Sequence, residues 1–109
     1  MADFMLSDAE WQPWYAGLAK YLVRTDQPGR GMEAGLWKGT PSDLPPGTSL
    51  RYKRDEFIFI IAGRVQIDLE DGTSREIGPG EAAHFAAGET VTWTLLTDSF
   101  EEFYVYMPR

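Results

Sequence analysis

The stretch 55–72, DEFIFIIAGRVQIDLEDG, limits what this chain can fold into more than any other part of it. Residues 56–61 form a short, nearly unbroken apolar run rich in Phe and Ile, the pattern of a strand covered on both faces. Ala62 and Gly63 interrupt it, and glycine permits a tight turn or a bulge. From Arg64 the pattern becomes strict alternation. Val65, Ile67 and Leu69 fall on one face, and Arg64, Gln66, Asp68 and Glu70 on the other, so this strand is half solvated. Asp71-Gly72 then favours a two-residue hairpin turn, because both residues tolerate φ > 0. The rest of the chain assembles around these strands.

Toward the N-terminus, Ser7-Asp8-Ala9-Glu10 has capping-box spacing, and Pro13 limits any helix there to about a turn or two. Trp11, Trp14 and Tyr15 make this segment unusually aromatic for a chain end, so it is expected to pack on a barrel, its own or a partner's. Strands are expected over 18–23, 32–38 and 48–53. Between the last two, TPSDLPPG carries Pro41, Pro45 and Pro46, which exclude a central strand and make a surface loop. After Gly72, strands are expected over 73–77, 81–85, 90–95 and 102–107, broken by Gly78-Pro79-Gly80 and Ala86-Ala87-Gly88. Val91, Trp93 and Leu95 alternate with threonines; Phe103, Val105 and Met107 alternate with Tyr104 and Tyr106. The chain has no internal repeat, no heptad and no long helical period. Short strands punctuated at steady spacing mean an all-β fold, and an antiparallel jelly-roll β-barrel is the expected form. The expected organisation is an N-terminal segment over 1–32, with a short helix and a strand, followed by a barrel domain over 33–109.

Length and charge remove several function classes. At 109 residues the chain is one domain. Its net charge of −7 repels phosphate backbones, so nucleic acid is not an expected partner. No apolar run reaches the length of a membrane span, and the first residues lack a signal peptide's basic start and apolar core. A soluble, cytoplasmic protein is the simplest reading. The absence of cysteine removes disulfides, thiolate nucleophiles and cysteine metal sites. The basic cluster Arg51, Lys53 and Arg54 is either a solvated edge with local ion pairs or a rim that draws an anionic ligand to the barrel mouth.

The ordered series Trp37, Thr40-Pro41, Tyr52, Asp55-Glu56-Phe57, Gly63-Arg64-Val65, Asp71-Gly72, Gly78-Pro79-Gly80-Glu81, Ala87-Gly88, Thr92-Trp93 and Tyr104-Val105 resembles the small single-domain cupins. The resemblance is to those grouped with the ureidoglycine aminohydrolase cupin domain and the ethanolamine-utilisation cupins, and it covers about residues 33–107. It implies an RmlC-like jelly roll with a lumen. Metal-dependent cupins typically hold their ion with three histidines and a carboxylate. Glu56, seven residues before Gly63, falls at the carboxylate position. The positions matching the histidines hold Leu50 and Tyr52 (or Ser49 and Arg51 under a looser spacing) and Val91, and His84 lies off the ligand register. A three-histidine site within one chain is therefore impossible, and neither a transition metal nor another cofactor is expected. A weak site of carboxylates, water and His84 stays open.

Glu56 is the best candidate for chemistry. The cupin pattern turns it into the lumen with Ile58 and Ile60, where an apolar setting raises a carboxyl pKa toward the range useful for proton transfer. The competing reading is an ion pair with Arg51 or Arg54 outside the barrel. His84 is the candidate second acid/base group, against the plainer reading of a hydrogen-bonded packing residue. Trp37, Tyr52, Trp93 and Tyr104 are candidate ligand-binding walls beside Glu56; packing in the core or at an interface is the alternative for each. A nucleophilic triad has no support, since no serine sits in an elbow and only one histidine is present. Three functions follow: a metal-independent small-molecule site, enzymatic through Glu56; a non-enzymatic sensor or accessory module; or a structural dimer with a filled lumen. The resemblance, with Trp11, Trp14 and Tyr15 as interface material, makes a homodimer the expected state, and it is compatible with the other two functions.

Overall fold

The computed structural model describes residues 5, 9–14, 16–25 and 31–107, and among them there are ten strands and no helix. Six form one antiparallel sheet in the order β1 (Gln12–Pro13), β2 (Leu18–Arg24), β3 (Glu33–Gly39), β10 (Phe100–Tyr106), β5 (Glu56–Ala62) and β8 (Ala82–Phe85). The other sheet runs β4 (Thr48–Arg51), β9 (Thr90–Leu95), β6 (Val65–Leu69) and β7 (Ser74–Ile77). Chain neighbours such as β9 and β10 lie in different sheets, as in a jelly roll. The two sheets face each other without backbone pairing between them, so the roll is a two-sheet sandwich and not the closed barrel expected.

The inward rows of both sheets supply the core. Ile60, Val65, Val91 and Phe100 are completely buried, each contributing about 1.5–3 kcal/mol by its removal from water. Trp37 and Trp93 meet edge to face at 6.5 Å, and each lies 5.9 Å from the Phe100 ring. Tyr52 stacks flat on Phe85 at 4.7 Å. Leu44, in the proline-rich loop, is also buried; Asp43 accepts from the Thr40 amide at 2.9 Å and holds the loop in a turn that tucks Leu44 inward.

Several local expectations are corrected. The capping-box residues Ser7 and Asp8 and the aromatic Tyr15 lie outside the described residues; beyond them Gln12 and Pro13 form a short edge strand, where proline costs no ladder bond. Residues 56–61 are not covered on both faces. In β5 burial alternates, leaving Phe57, Phe59 and Ile61 44, 46 and 43% exposed on the outer face. The hairpin after β6 is longer than expected: Leu69 donates to the Thr73 carbonyl at 2.8 Å, enclosing three residues, with Gly72 at φ 90°. Gly63 does make the turn between β5 and β6, at φ 84°, and an added Cβ there would meet the Ser99 carbonyl at 2.3 Å.

Candidate active site

The register of three adjacent strands builds the inner face of the larger sheet in levels. At one end Glu56, Tyr106 and Glu33 lie side by side; Ile58, Tyr104 and Gly35 follow; then Ile60, Glu102 and Trp37. The bulge in the β5–β10 pairing falls just beyond Glu102, where Ile61 is passed over and Glu101 pairs with Ala62. Trp93, from the opposite sheet, stands over Trp37. Between them lies a cavity of about 60 Å³, lined by the three carboxylates, by Trp14, Trp37 and Trp93, and by Tyr104 and Tyr106.

The two ends differ electrostatically. Glu33 is well answered: the Tyr104 hydroxyl donates to it at 2.6 Å, and Arg24 and Arg54 approach to 3.4 and 3.8 Å. Glu56 accepts a bond from the Tyr106 hydroxyl, but burial dominates and Glu33 adds repulsion, so its carboxyl is pushed up to about 8. Glu102, at the apolar level, is 3% exposed, and its Oε1 has no hydrogen-bond partner among the described residues. Burial first, and the charge of Glu56 second, raise its pKa well above the ordinary value. Its surroundings therefore favour the protonated carboxyl. Burial likewise raises the phenols of Tyr52, Tyr104 and Tyr106.

Of the residues singled out from the sequence, Glu56, Trp37, Trp93 and Tyr104 meet at this cavity. Tyr52 is buried beside it, accepting a bond from the Trp93 indole at 3.1 Å, and lines the depression at the mouth. That mouth shares Trp14, Leu50, Glu56 and Tyr106 with the cavity and adds Arg51, Lys53 and Arg54, so the basic cluster is a rim. Arg54 does not pair with Glu56 outside the sandwich; it donates to the Gly31 carbonyl at 3.2 Å and lies over the Tyr106 ring.

His84 is corrected. It pairs across from Phe57 on the outward face, stacks on that ring at 4.6 Å and bonds to Asp55 at 2.9 Å. Asp55 is lowered by the Ala87 amide and then by His84. His84 thus cannot work with Glu56 in the lumen. Sequence reasoning missed Glu33, Glu102, Trp14 and Tyr106. The alternation of Glu102 with Tyr104 and Tyr106 was the available signal, although hydropathy favours the opposite face.

A jelly roll whose lumen carries aromatic walls and inward carboxylates is a cupin architecture. The sequence profile of the EutQ-like cupin domain matches residues 27–104, and the chain belongs to that family. It is similar to KdgF from a Halomonas species (20% identity, TM-score 0.74, covering 99% of this chain and 95% of that one). It is also similar to EutQ of Clostridium difficile (19%, TM-score 0.66, 84% and 67%) and to a Rhizobium leguminosarum protein (25%, TM-score 0.69, 100% and 98%). A curated relative, a protease HtpX homolog of Variovorax paradoxus, is 28% identical over 99 residues; these are 90% of this chain but only 32% of that protein. The residues here do not fit the metal that many cupins hold: among the described residues no three His, Asp or Glu side chains converge to hold an ion, and His84 faces outward.

Proposed function

We propose that this chain is a small-molecule-binding cupin that works without a metal ion and uses Glu56 for proton transfer in the lumen, with Glu102 as a second acid at its floor. The observation that carries the reading is the pair of buried carboxyls, Glu56 and Glu102, lining one cavity with aromatic walls. A group that changes protonation near neutral pH both gives and takes a proton under working conditions, which is the requirement for general acid–base catalysis. Glu56 lines both the cavity and the mouth, so a ligand entering past the rim reaches it first. Trp14, Trp37 and Trp93 would enclose the ligand and exclude water.

A thermal-shift screen of small polar acids, amines and sugars tests this, followed by titration calorimetry of the hits on the wild type and Glu56→Gln. Binding or turnover that depends on Glu56 supports the role. Unchanged binding and activity in Glu56→Gln refute it.

A second reading, a non-enzymatic sensor or accessory module, fits a small cavity of about 60 Å³ whose aromatic walls would retain a ligand. It calls for a co-purified ligand that mass spectrometry finds unaltered after incubation; product formation overturns it.

For either reading we infer a homodimer. Phe57, Phe59 and Ile61 form an exposed apolar stripe on the outer face, continued by half-buried Phe103, Val105 and Leu36 on the strands alongside. The stripe bears no charge in a chain of net charge −7, so a two-fold copy presenting the same stripe suits it better than a charged partner.

A further inference from the structure

Most of the aromatic donors around the lumen are already spent within the protein. The Trp37 indole donates to the Ala16 carbonyl at 2.6 Å, and the Trp93 indole to Tyr52 at 3.1 Å. The Tyr104 hydroxyl is spent on Glu33, and that of Tyr106 on Glu56. Three carboxyl groups supply acceptors, and one of these, Glu102 Oε1, is buried with no hydrogen-bond partner among the described residues. Among the described residues no lysine, arginine or histidine lines the cavity itself. A buried acceptor without a partner is costly, and a ligand that supplies the missing donor recovers that cost on binding.

We propose that the lumen takes a small organic cation, its ammonium group donating to Glu102 at the cavity wall shared with Trp37 and Trp93. This rests on the small-molecule reading above and names its ligand class. An ammonium brings three donors and a positive charge, which the carboxylate attracts. The cavity limits the ligand to a few non-hydrogen atoms. Arg51 and Lys53, at the mouth, oppose a cation there, but their side chains are solvated and salt screens them beyond about 8 Å. Inside, little screening reaches Glu102, so the floor outweighs the rim.

Binding is then linked to protons. Burial favours the protonated form of both Glu56 and Glu102, so a cation that binds between them displaces a proton. The groups that set this balance are Glu33, Tyr104 and Tyr106 on the same sheet, with Arg54 and Tyr52 on the segment before β5. Affinity therefore rises with pH, by about tenfold per unit for one displaced proton, until the displaced group is ionised beforehand.

Titration calorimetry with three isosteric probes, propylammonium, 1-propanol and propionate, tests the assignment on the wild type and Glu102→Gln. Each is measured in two buffers of different ionisation enthalpy. The expected result is propylammonium binding with release of about one proton, weakened at least about tenfold in Glu102→Gln, whose fold is checked by circular dichroism. Propanol or propionate binding as tightly as propylammonium, or no loss in Glu102→Gln, overturns the cation assignment and leaves the small-molecule reading standing. Glu102-dependent binding of Mn²⁺ in place of propylammonium overturns it in favour of a metal ion. Failure of all three probes also overturns it, and the Glu56→Gln screen then decides the broader reading separately.

Discussion

Stability should fall as the pH rises through neutrality, and the buried carboxyls set the size of the effect. A carboxyl whose folded pKa lies above its unfolded one keeps a proton that the unfolded chain has already lost. The stability it contributes is complete below the unfolded pKa and disappears as the pH climbs through the folded one. Glu56 moves from an ordinary 4.5 to about 8. Across that window each retained proton costs about 1.4 kcal/mol of stability per pH unit, or about 5 kcal/mol in all for Glu56. Glu102, raised well above its ordinary value by burial and then by Glu56, contributes in the same direction. Asp55, Asp68 and Asp71 are shifted downward, so their contribution is lost only in more acid solution. Urea unfolding between about pH 5 and pH 8 measures the slope, and the double variant Glu56→Gln/Glu102→Gln should flatten it by about 1.4–2.8 kcal/mol per unit. The variant should also be the more stable protein near pH 8. Equal slopes in the two proteins, or wild-type stability that rises across the range, would refute the view that these carboxyls are buried with their protons.

Two other perturbations test separate features. Phe59→Lys puts a charge in the middle of the outer apolar stripe, and light scattering at micromolar concentration should show a dimer become a monomer with folding retained; a monomeric wild type sinks the dimer outright. Gly63→Ala forces a side chain into φ 84° and against the Ser99 carbonyl, so it should destabilise the fold by more than about 1 kcal/mol in the same urea assay.

Much of the architecture was legible because turn chemistry and alternation are local. The strand 90–95 was marked by threonines alternating with Val91, Trp93 and Leu95, and its bounds match those of β9. Glu56 was singled out through the cupin resemblance, which puts a carboxylate seven residues before Gly63 and turns it to the face of Ile58 and Ile60. What escaped depended on contacts between distant strands. Nothing local says that Phe57 and Phe59 face outward: an unbroken apolar run looks the same whether its second face is covered or bare. Glu102 escaped for the opposite reason, since a glutamate beside Phe103 is read as solvated until the pairing with Ile60 and Trp37 turns it inward. His84 was the only imidazole to assign, and its strand's register with β5 sends it away from the lumen.

The Trp37–Ala16 hydrogen bond ties the segment before β2 to the inner sheet, and Trp14 and Ala19 complete the lumen from the same part of the chain. The family profile begins only at residue 27. Part of the cavity wall is therefore written in sequence that the family profile does not include, so a change confined to that leading segment would reshape the cavity without touching a residue of the shared pattern.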